Sequence, residues 1–384
     1  MNGNTKYWIW LSQALGSAAR VDEILAAFPN PKKLFEADDA ERIVSGVFTR
    51  RQLEKLNSAK LADAETAITL CEKNGWQIVT PADSAYPAGL RRLPDMPLVL
   101  YVDGDIGCVA GKVLIGVVGT RKPCFESTAV ARRISAELAA AGAVVVSGGA
   151  LGIDSSAHEG ALFAGGKTVC VMGCGFGTNY LMDNEAMRRS VKKSGALVTE
   201  YPPFFSASKT TFPERNRIIS GMSHGVLVVE AGEKSGSLIT AKRANEQGRE
   251  VFAIPGSVLS SAYTGTNNLI RDGARAVTCA RDILSVFAAM YPDRIDFKAI
   301  EQAQAQVPQE PTEEKKAPVK KEAGEGLGAD AAAVYGVFGI EPLHPDEICA
   351  MSGLPLPKVI SALMQLEIAG LIEQTDGKNY AVCG

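Results

Sequence analysis

Between residues 112 and 289, short strand-like runs and helix-like runs take turns, and this alternation is the tightest constraint on the fold. The strand-like runs fall at 113–118, 143–147, 168–172, 196–200, 226–230 and 250–254. Helical periodicity separates most of them, at 127–141, 155–164, 184–194 and 237–247. β-Branched runs without polar alternation need cover on both faces, and amphipathic crossover helices supply it. The expected class is α/β: a Rossmann-like, doubly wound parallel sheet, within a domain spanning residues 76–290.

The flanks read differently. Residues 1–75 show helical spacing at 11–28 and 52–70, broken at Pro29-Asn30-Pro31, and predict a small helical domain. Residues 76–111 are extended and Pro-rich, ending in a strand-like run at 98–102. From 299 to 328 the chain is Gln, Ala, Pro, Glu and Lys with almost no large apolar residue, so 291–328 is expected to be a flexible linker. Residues 329–384 predict helices at 331–338, 345–351 and 356–369, then a hairpin turning at Asp376-Gly377; that order suggests a winged helix.

The formal charge of -3 hides a segregation. Residues 112–289 hold 20 basic and 14 acidic side chains, whereas residues 330–384 hold 2 and 7. The central domain therefore favours an anionic partner. The acidic terminal module should bind duplex DNA poorly, since phosphate neutralisation supplies most non-specific affinity; it is expected to contact protein, either a partner or the basic face of its own chain. No stretch approaches ~18 uninterrupted apolar residues, so no membrane span is expected. The 8 cysteines include no C-x-x-C pair, which predicts a reduced, cytoplasmic protein with no structural metal.

Ligands of doubly wound sheets bind beyond the carboxyl ends of the strands. Those ends carry Gly119-Thr120-Arg121-Lys122, Ser147-Gly148-Gly149-Ala150-Leu151-Gly152, Gly173-Cys174-Gly175-Phe176-Gly177 and Ser235-Gly236-Ser237. Glycines let backbone approach a ligand and helix N-termini aim N–H groups at anions, so an anion-binding rim is expected. Enzyme motifs fail here. Gly166-Lys167-Thr168 precedes a strand and lacks the first P-loop glycine. The G-x-S-x-G of residues 221–225 has its strand after the Ser, the reverse of a nucleophile elbow. Gly173-Cys174-Gly175 is an incomplete dinucleotide fingerprint. Asp154 reads as an N-cap and as the structural hydrogen-bond partner of His158. No catalytic constellation, cofactor site or metal site emerges.

Residues 209–217, Lys209-Thr210-Thr211-Phe212-Pro213-Glu214-Arg215-Asn216-Arg217, gather three cations, an aromatic and an amide at a helix expected to start at Pro213. With Arg121 from a neighbouring strand, this set suits single-stranded nucleic acid: cations hold phosphates and an aromatic face stacks a base. Phe212 fits equally well as a core residue.

At this point a family becomes recognisable. Val118-Gly119-Thr120-Arg121, Ser147-Gly148-Gly149-Ala150-Leu151-Gly152-Ile153-Asp154 and Ala157-His158 resemble motifs of the DNA-processing protein A family (DprA, also called Smf). So do Phe212-Pro213-Glu214-Arg215-Asn216-Arg217-Ile218-Ile219, Ser235-Gly236-Ser237-Leu238-Ile239-Thr240-Ala241 and Gly248-Arg249-Glu250-Val251-Phe252-Ala253-Ile254-Pro255-Gly256. The resemblance implies a cytoplasmic, homodimeric, non-enzymatic protein that binds single-stranded DNA and recruits the RecA recombinase during natural transformation. It implies a helical domain of SAM or helix-hairpin-helix type before the sheet. It implies a phosphate contact at Arg121, DNA contacts at Lys209 and Phe212, and a basic helix start at Arg215, Asn216 and Arg217; with the glycine-rich rim, the expected DNA-binding set is Gly119, Thr120, Arg121, Lys122, Lys209, Phe212, Arg215, Asn216, Arg217, Ser235, Gly236 and Ser237. Two departures stand out: Thr120 replaces the usual Ser, and Leu151 replaces a common Arg.

The alternative is a nucleotide-processing enzyme of phosphoribohydrolase type, with Glu230 or Glu200 as its carboxylate. A NAD-dependent oxidoreductase is weaker still, because its fingerprint is incomplete.

Overall fold

The computed structural model describes residues 3–179, 182–306, 328–339, 342–375 and 379–382. By internal contacts the chain divides into two units, Met1–Val307 and Pro308–Gly384.

The first unit begins with helices α1 (Thr5–Leu15), α2 (Val21–Ala27), α3 (Pro31–Glu36), α4 (Asp39–Val44), α5 (Arg50–Ser58) and α6 (Leu61–Asn74). The two long periodic stretches are cut into shorter helices for local reasons. Gly16, at φ 58, stops α1. Asn30 caps α3 through the Lys33 N–H, and reciprocal capping boxes, Asp38 with Glu41 and Thr49 with Gln52, start α4 and α5. The Trp10 indole N–H donates to Ala59 O at 3.1 Å and holds the break between α5 and α6.

A mixed sheet follows, built from β1 (Gln77–Val79), β2 (Leu100–Gly104), β3 (Leu114–Val118), β4 (Val144–Ser147), β5 (Lys167–Val171), β6 (Ala196–Thr199), β7 (Gly225–Val228), β8 (Glu250–Ala253) and β9 (Arg275–Ala276). Its order is β1-β2-β6-β5-β4-β3-β7-β8-β9. Pairing is parallel from β6 to β9; β2 is antiparallel to both β1 and β6. The expected strand runs coincide with these elements to within one or two residues. Helices α7 (Phe125–Ala140) and α8 (Ile153–Phe163), α9 (Glu185–Ser194), α10 (Thr211–Met222) and α11 (Ser237–Glu246) form the crossovers. The unit closes with α12 (Thr264–Arg271), α13 (Ala280–Ser285) and α14 (Phe297–Gln306).

Alternate strand residues feed two cores. Leu114, Val146, Val169 and Val226 pack with Ile218 and Ala241 on one face, while Ile115, Val117, Val145 and Leu227 pack with Ile134 and Ala157 on the other. A third cluster joins the helical layer to the outer face of β2 through Trp8, Ile9, Leu34, Val99 and Tyr101.

Two expectations need correction. Helix α14 occupies part of the stretch expected to be linker: Ile300 is 1% exposed and belongs to the core over α7. Buried Ile300 and Ala303, with Phe297 packed beside them against the same core, dock a helix that composition alone reads as featureless. The rest of that linker, residues 307–327, lies outside the described residues. Helix α10 begins at Thr211, not Pro213, because the paired turn of Ser208 and Thr211 starts it: Ser208 N–H donates to Thr211 Oγ1 at 3.1 Å and Thr211 N–H to Ser208 Oγ at 3.3 Å.

In the second unit α15 (Ala329–Val337), α16 (Pro345–Ser352) and α17 (Leu356–Ile368) precede β10 (Ile372–Thr375) and β11 (Asn379–Val382), an antiparallel pair; the expected turn at Asp376-Gly377 lies outside the described residues. Val334, Ile348, Val359, Leu363 and Leu366 form its core, giving the winged-helix arrangement. Lys358 on α17 is paired with Asp330 at 3.2 Å, and the exposed side of α17 carries Leu356, Ile360, Met364 and Ile368. Among the described residues no single helix is long and apolar enough to cross a membrane.

Ile300→Ala should lower the unfolding free energy of the first unit by about 2–5 kcal/mol, the usual cost of emptying a buried Ile site. Urea denaturation followed by circular dichroism measures it; an unchanged midpoint would mean α14 is not part of the core.

Candidate functional site

Chain direction along the sheet reverses at β3. Strands β4, β5 and β6 follow on one side of it, and β7, β8 and β9 lie on the other. Such a switch point leaves a crevice at the carboxyl edge, since neighbouring crossovers leave in opposite directions. A cleft of about 330 Å³ lies there, lined by Gly119, Thr120 and Arg121 after β3, by Ala150 and Asp154 after β4, by Phe212, Pro213, Arg215 and Asn216 on α10, and by Ser235, Gly236 and Ser237 before α11.

Backbone hydrogen bonds around Thr120 lock three of these loops together. Its N–H donates to Glu230 O at 2.9 Å, and its carbonyl accepts from Ile153 N–H at 3.2 Å. The Glu230 carboxylate accepts from Cys124 N–H at 3.0 Å. Gly152, at φ +85, passes so close that a Cβ would stand 2.6 Å from Thr120 O. Only glycine fits that turn.

The Arg121 guanidinium lies over the Phe212 ring, 5.3 Å from its centroid, a cation–π arrangement. Phe212 is half-buried and lines the cleft, with its ring against Gly173 on the far side. The Ser235 and Ser237 hydroxyls are hydrogen-bonded at 2.8 Å beside the N-terminus of α11, which brings its positive dipole end to the cleft.

Of the twelve residues expected at the site, nine line the cleft: Gly119, Thr120, Arg121, Phe212, Arg215, Asn216, Ser235, Gly236 and Ser237. Lys122 and Lys209 are exposed outside its lining. Arg217 is the exception and corrects the expectation of a DNA contact there. It is 2% exposed, ion-paired with Glu200, and donates to Asp95 O at 2.7 Å. Residues two apart on a helix point about 200° away from each other, so with Arg215 toward the cleft Arg217 falls on the core side.

Arg215 is also deeply set, 5% exposed, with its guanidinium donating to Val171 O beneath the loop at Gly148. A Cβ on Gly148 would stand 2.0 Å from Arg215 Nη1, so the missing side chain is what admits the charge. Arg215 thus contributes to the cleft floor from below.

Asp154 and His158 do not form the expected pair. Asp154 lies in the first turn of α8, whose N-cap is Gly152, and accepts from Ala150 N–H at 3.4 Å. Burial pushes its carboxyl up, opposed by the Arg215 charge. The sequence reading missed Asp154 as a lining residue, because its spacing fits a helix cap equally well. His158 Nδ1 meets Thr168 Oγ1 at 2.8 Å, and that hydroxyl donates to Val145 O at 2.8 Å. The hydroxyl proton is thereby used, so Nδ1 carries the imidazole proton and donates.

Burial holds His158 down at about 3, against an ordinary 6.5. Between those values the unfolded chain takes up a proton that the folded chain refuses, so stability is lost as pH falls from 6.5 toward 3. His158→Asn, which keeps an N–H donor, should flatten that decline by up to about 1.4 kcal/mol per pH unit. Denaturant midpoints measured across the window test it; parallel profiles for the two proteins would refute the assignment.

The family described as DNA recombination-mediator protein A matches residues 77–288, and the DprA winged helix domain matches residues 318–378. Protein Smf of Synechocystis sp. is 34% identical over 321 residues, covering 79% of this chain and 79% of that protein. DNA processing protein DprA of Bacillus subtilis is 36% identical over 259 residues, covering 65% and 87%. The X-ray structure of DNA processing protein A from Streptococcus pneumoniae aligns with a TM-score of 0.63 at 31% identity, covering 73% of this chain and 97% of that one. DNA processing protein A from Helicobacter pylori, whose structure concerns its single-stranded DNA binding mode, aligns with a TM-score of 0.51 at 30% identity, covering 56% and 97%. With its sheet and terminal module both matched, the chain belongs to the DNA recombination-mediator protein A family.

Proposed function

We propose that this chain binds single-stranded DNA in the switch-point cleft and, as a homodimer in the cytoplasm, loads a RecA-type recombinase onto the strand during natural transformation. The observation that carries the reading is the pairing of Arg121 with Phe212 over a glycine-rich, N–H-bearing rim. Moved onto a phosphate, Arg121 uncovers a ring face on which a base stacks. Exposed Lys122 and Lys209 add sequence-independent attraction. The Helicobacter pylori relative, described for its single-stranded DNA binding, supports this assignment.

The reading assigns the chain no chemistry of its own. The carboxylates that the phosphoribohydrolase alternative needs are engaged elsewhere: Glu230 with Cys124 N–H, Glu200 with Arg217, and neither lines the cleft. The winged helix is assigned to protein contact, because α17 exposes Leu356, Ile360, Met364 and Ile368 where phosphate binding would require cations.

Arg121→Ala and Lys209→Ala should each weaken oligonucleotide binding and lower the salt slope by about 1. Phe212→Ala should cost about 1–3 kcal/mol of stacking. Fluorescence anisotropy at two salt concentrations reads both, and unchanged binding in all three variants would sink the DNA assignment. Loading is tested separately: the protein should shorten the lag of RecA filament growth on single strands precoated with single-strand-binding protein. An unaltered lag would remove that role.

A further inference from the structure

The cleft does not end at Phe212. Phe212 and Arg215 also wall a narrow slot beside Gly148 and Met172, and Met172 and Arg188 in turn wall a second cleft of about 440 Å³. The three depressions share side chains one after another and so adjoin in series from the loop after β7 to β6, the slot between the two clefts being narrow, about 10 Å³. Four strand spacings separate those strands in the order β7-β3-β4-β5-β6. At roughly 4.8 Å per spacing the series of depressions is spread over about 19 Å, more than one nucleotide fills.

The second cleft repeats the chemistry of the first. Phe204 stands 60% exposed at its wall, a large aromatic left in water. Its ring lies on bare backbone, since a Cβ on Gly177 would come within 2.4 Å of Phe204 Cε1. Trp76 and Phe176, in edge contact at 5.4 Å, close the wall behind it. Helix α9 supplies the cations. Lys192 is paired with Asp103 at 2.7 Å and Arg189 with Glu185, while Arg188 stands at the junction of slot and cleft. One lining thus holds a stackable ring and guanidiniums, the two kinds of group that a single strand uses.

We propose that the second cleft is a further subsite for the same strand, taking a nucleobase on Phe204 and an adjacent phosphate on Arg188. The proposal rests on the single-strand reading of the first cleft and lengthens its footprint toward the helical layer, which contributes Trp76.

The test uses the full chain and oligothymidylates of about 3 and about 20 nucleotides, the shorter too short to reach both clefts and the longer exceeding the site sizes typical of single-strand binders. Phe204→Ala should weaken binding of the longer probe about 5- to 150-fold relative to the shorter one, the equivalent of one lost stack. Phe204→Tyr, which keeps a ring face, should restore it, and Arg188→Ala should lower the salt slope for the longer probe by about 1. If Phe204→Ala affects both probes equally or neither, while Phe212→Ala weakens both, the second subsite is overturned and the first cleft stands. If Phe204→Ala, Phe212→Ala, Arg121→Ala and Lys209→Ala all leave both probes bound as before, the strand-binding reading falls with it.

Discussion

Strands β3 and β7 are parallel neighbours whose following crossovers leave on opposite sides, and the cleft at the carboxyl edge grows from the gap between them. The gap persists because Thr120 bonds both to the exit of β7 and to the start of α8, fixing three loops at one point. Glycines at 148 and 152 then let a buried guanidinium and a tight turn occupy space that a side chain would fill. Cations reach the cleft at two depths as a result: Arg121 from the exposed rim, Arg215 from beneath. The inner charge is shielded from solvent by the loop above it, so its field is screened less by salt than that of the rim.

Much of this was legible in the sequence. The strands announced themselves because doubly covered β-structure requires unbroken runs such as Val144-Val145-Val146, and the glycine-rich loops marked the carboxyl edge. What stayed hidden was direction within a helical turn. Arg215 and Arg217 are two residues apart in a basic motif, yet Arg217 spends its charge on Glu200 and Asp95 O inside the protein. Both partners are distant in sequence, so no local pattern reports the pairing. Asp154 was hidden in the same way, because a helix cap and a buried carboxylate facing Arg215 share one spacing. Helix α14 escaped because its docking rests on Ile300 and Ala303 in a stretch otherwise polar.

The near-neutral total charge acquires meaning once divided. The sheet domain holds the excess of cations at residues 112–289, and the terminal module holds an acidic excess. On α17 the one cation, Lys358, is tied to Asp330. This module has the winged-helix order of elements with little of the positive charge on which phosphate binding draws.

The third hydrophobic cluster carries a lesson about inheritance. Val99, just before β2, and Tyr101, on its outer face, are buried in one cluster with Trp8, Ile9 and Leu34 of the helical layer. A chain that began directly at the sheet would set a valine and a tyrosine in water at the strand pairing with β6, and would need polar replacements at both positions to remain monodisperse. The helical layer and the second strand are therefore coupled through these side chains: a change on one side of the contact is felt on the other.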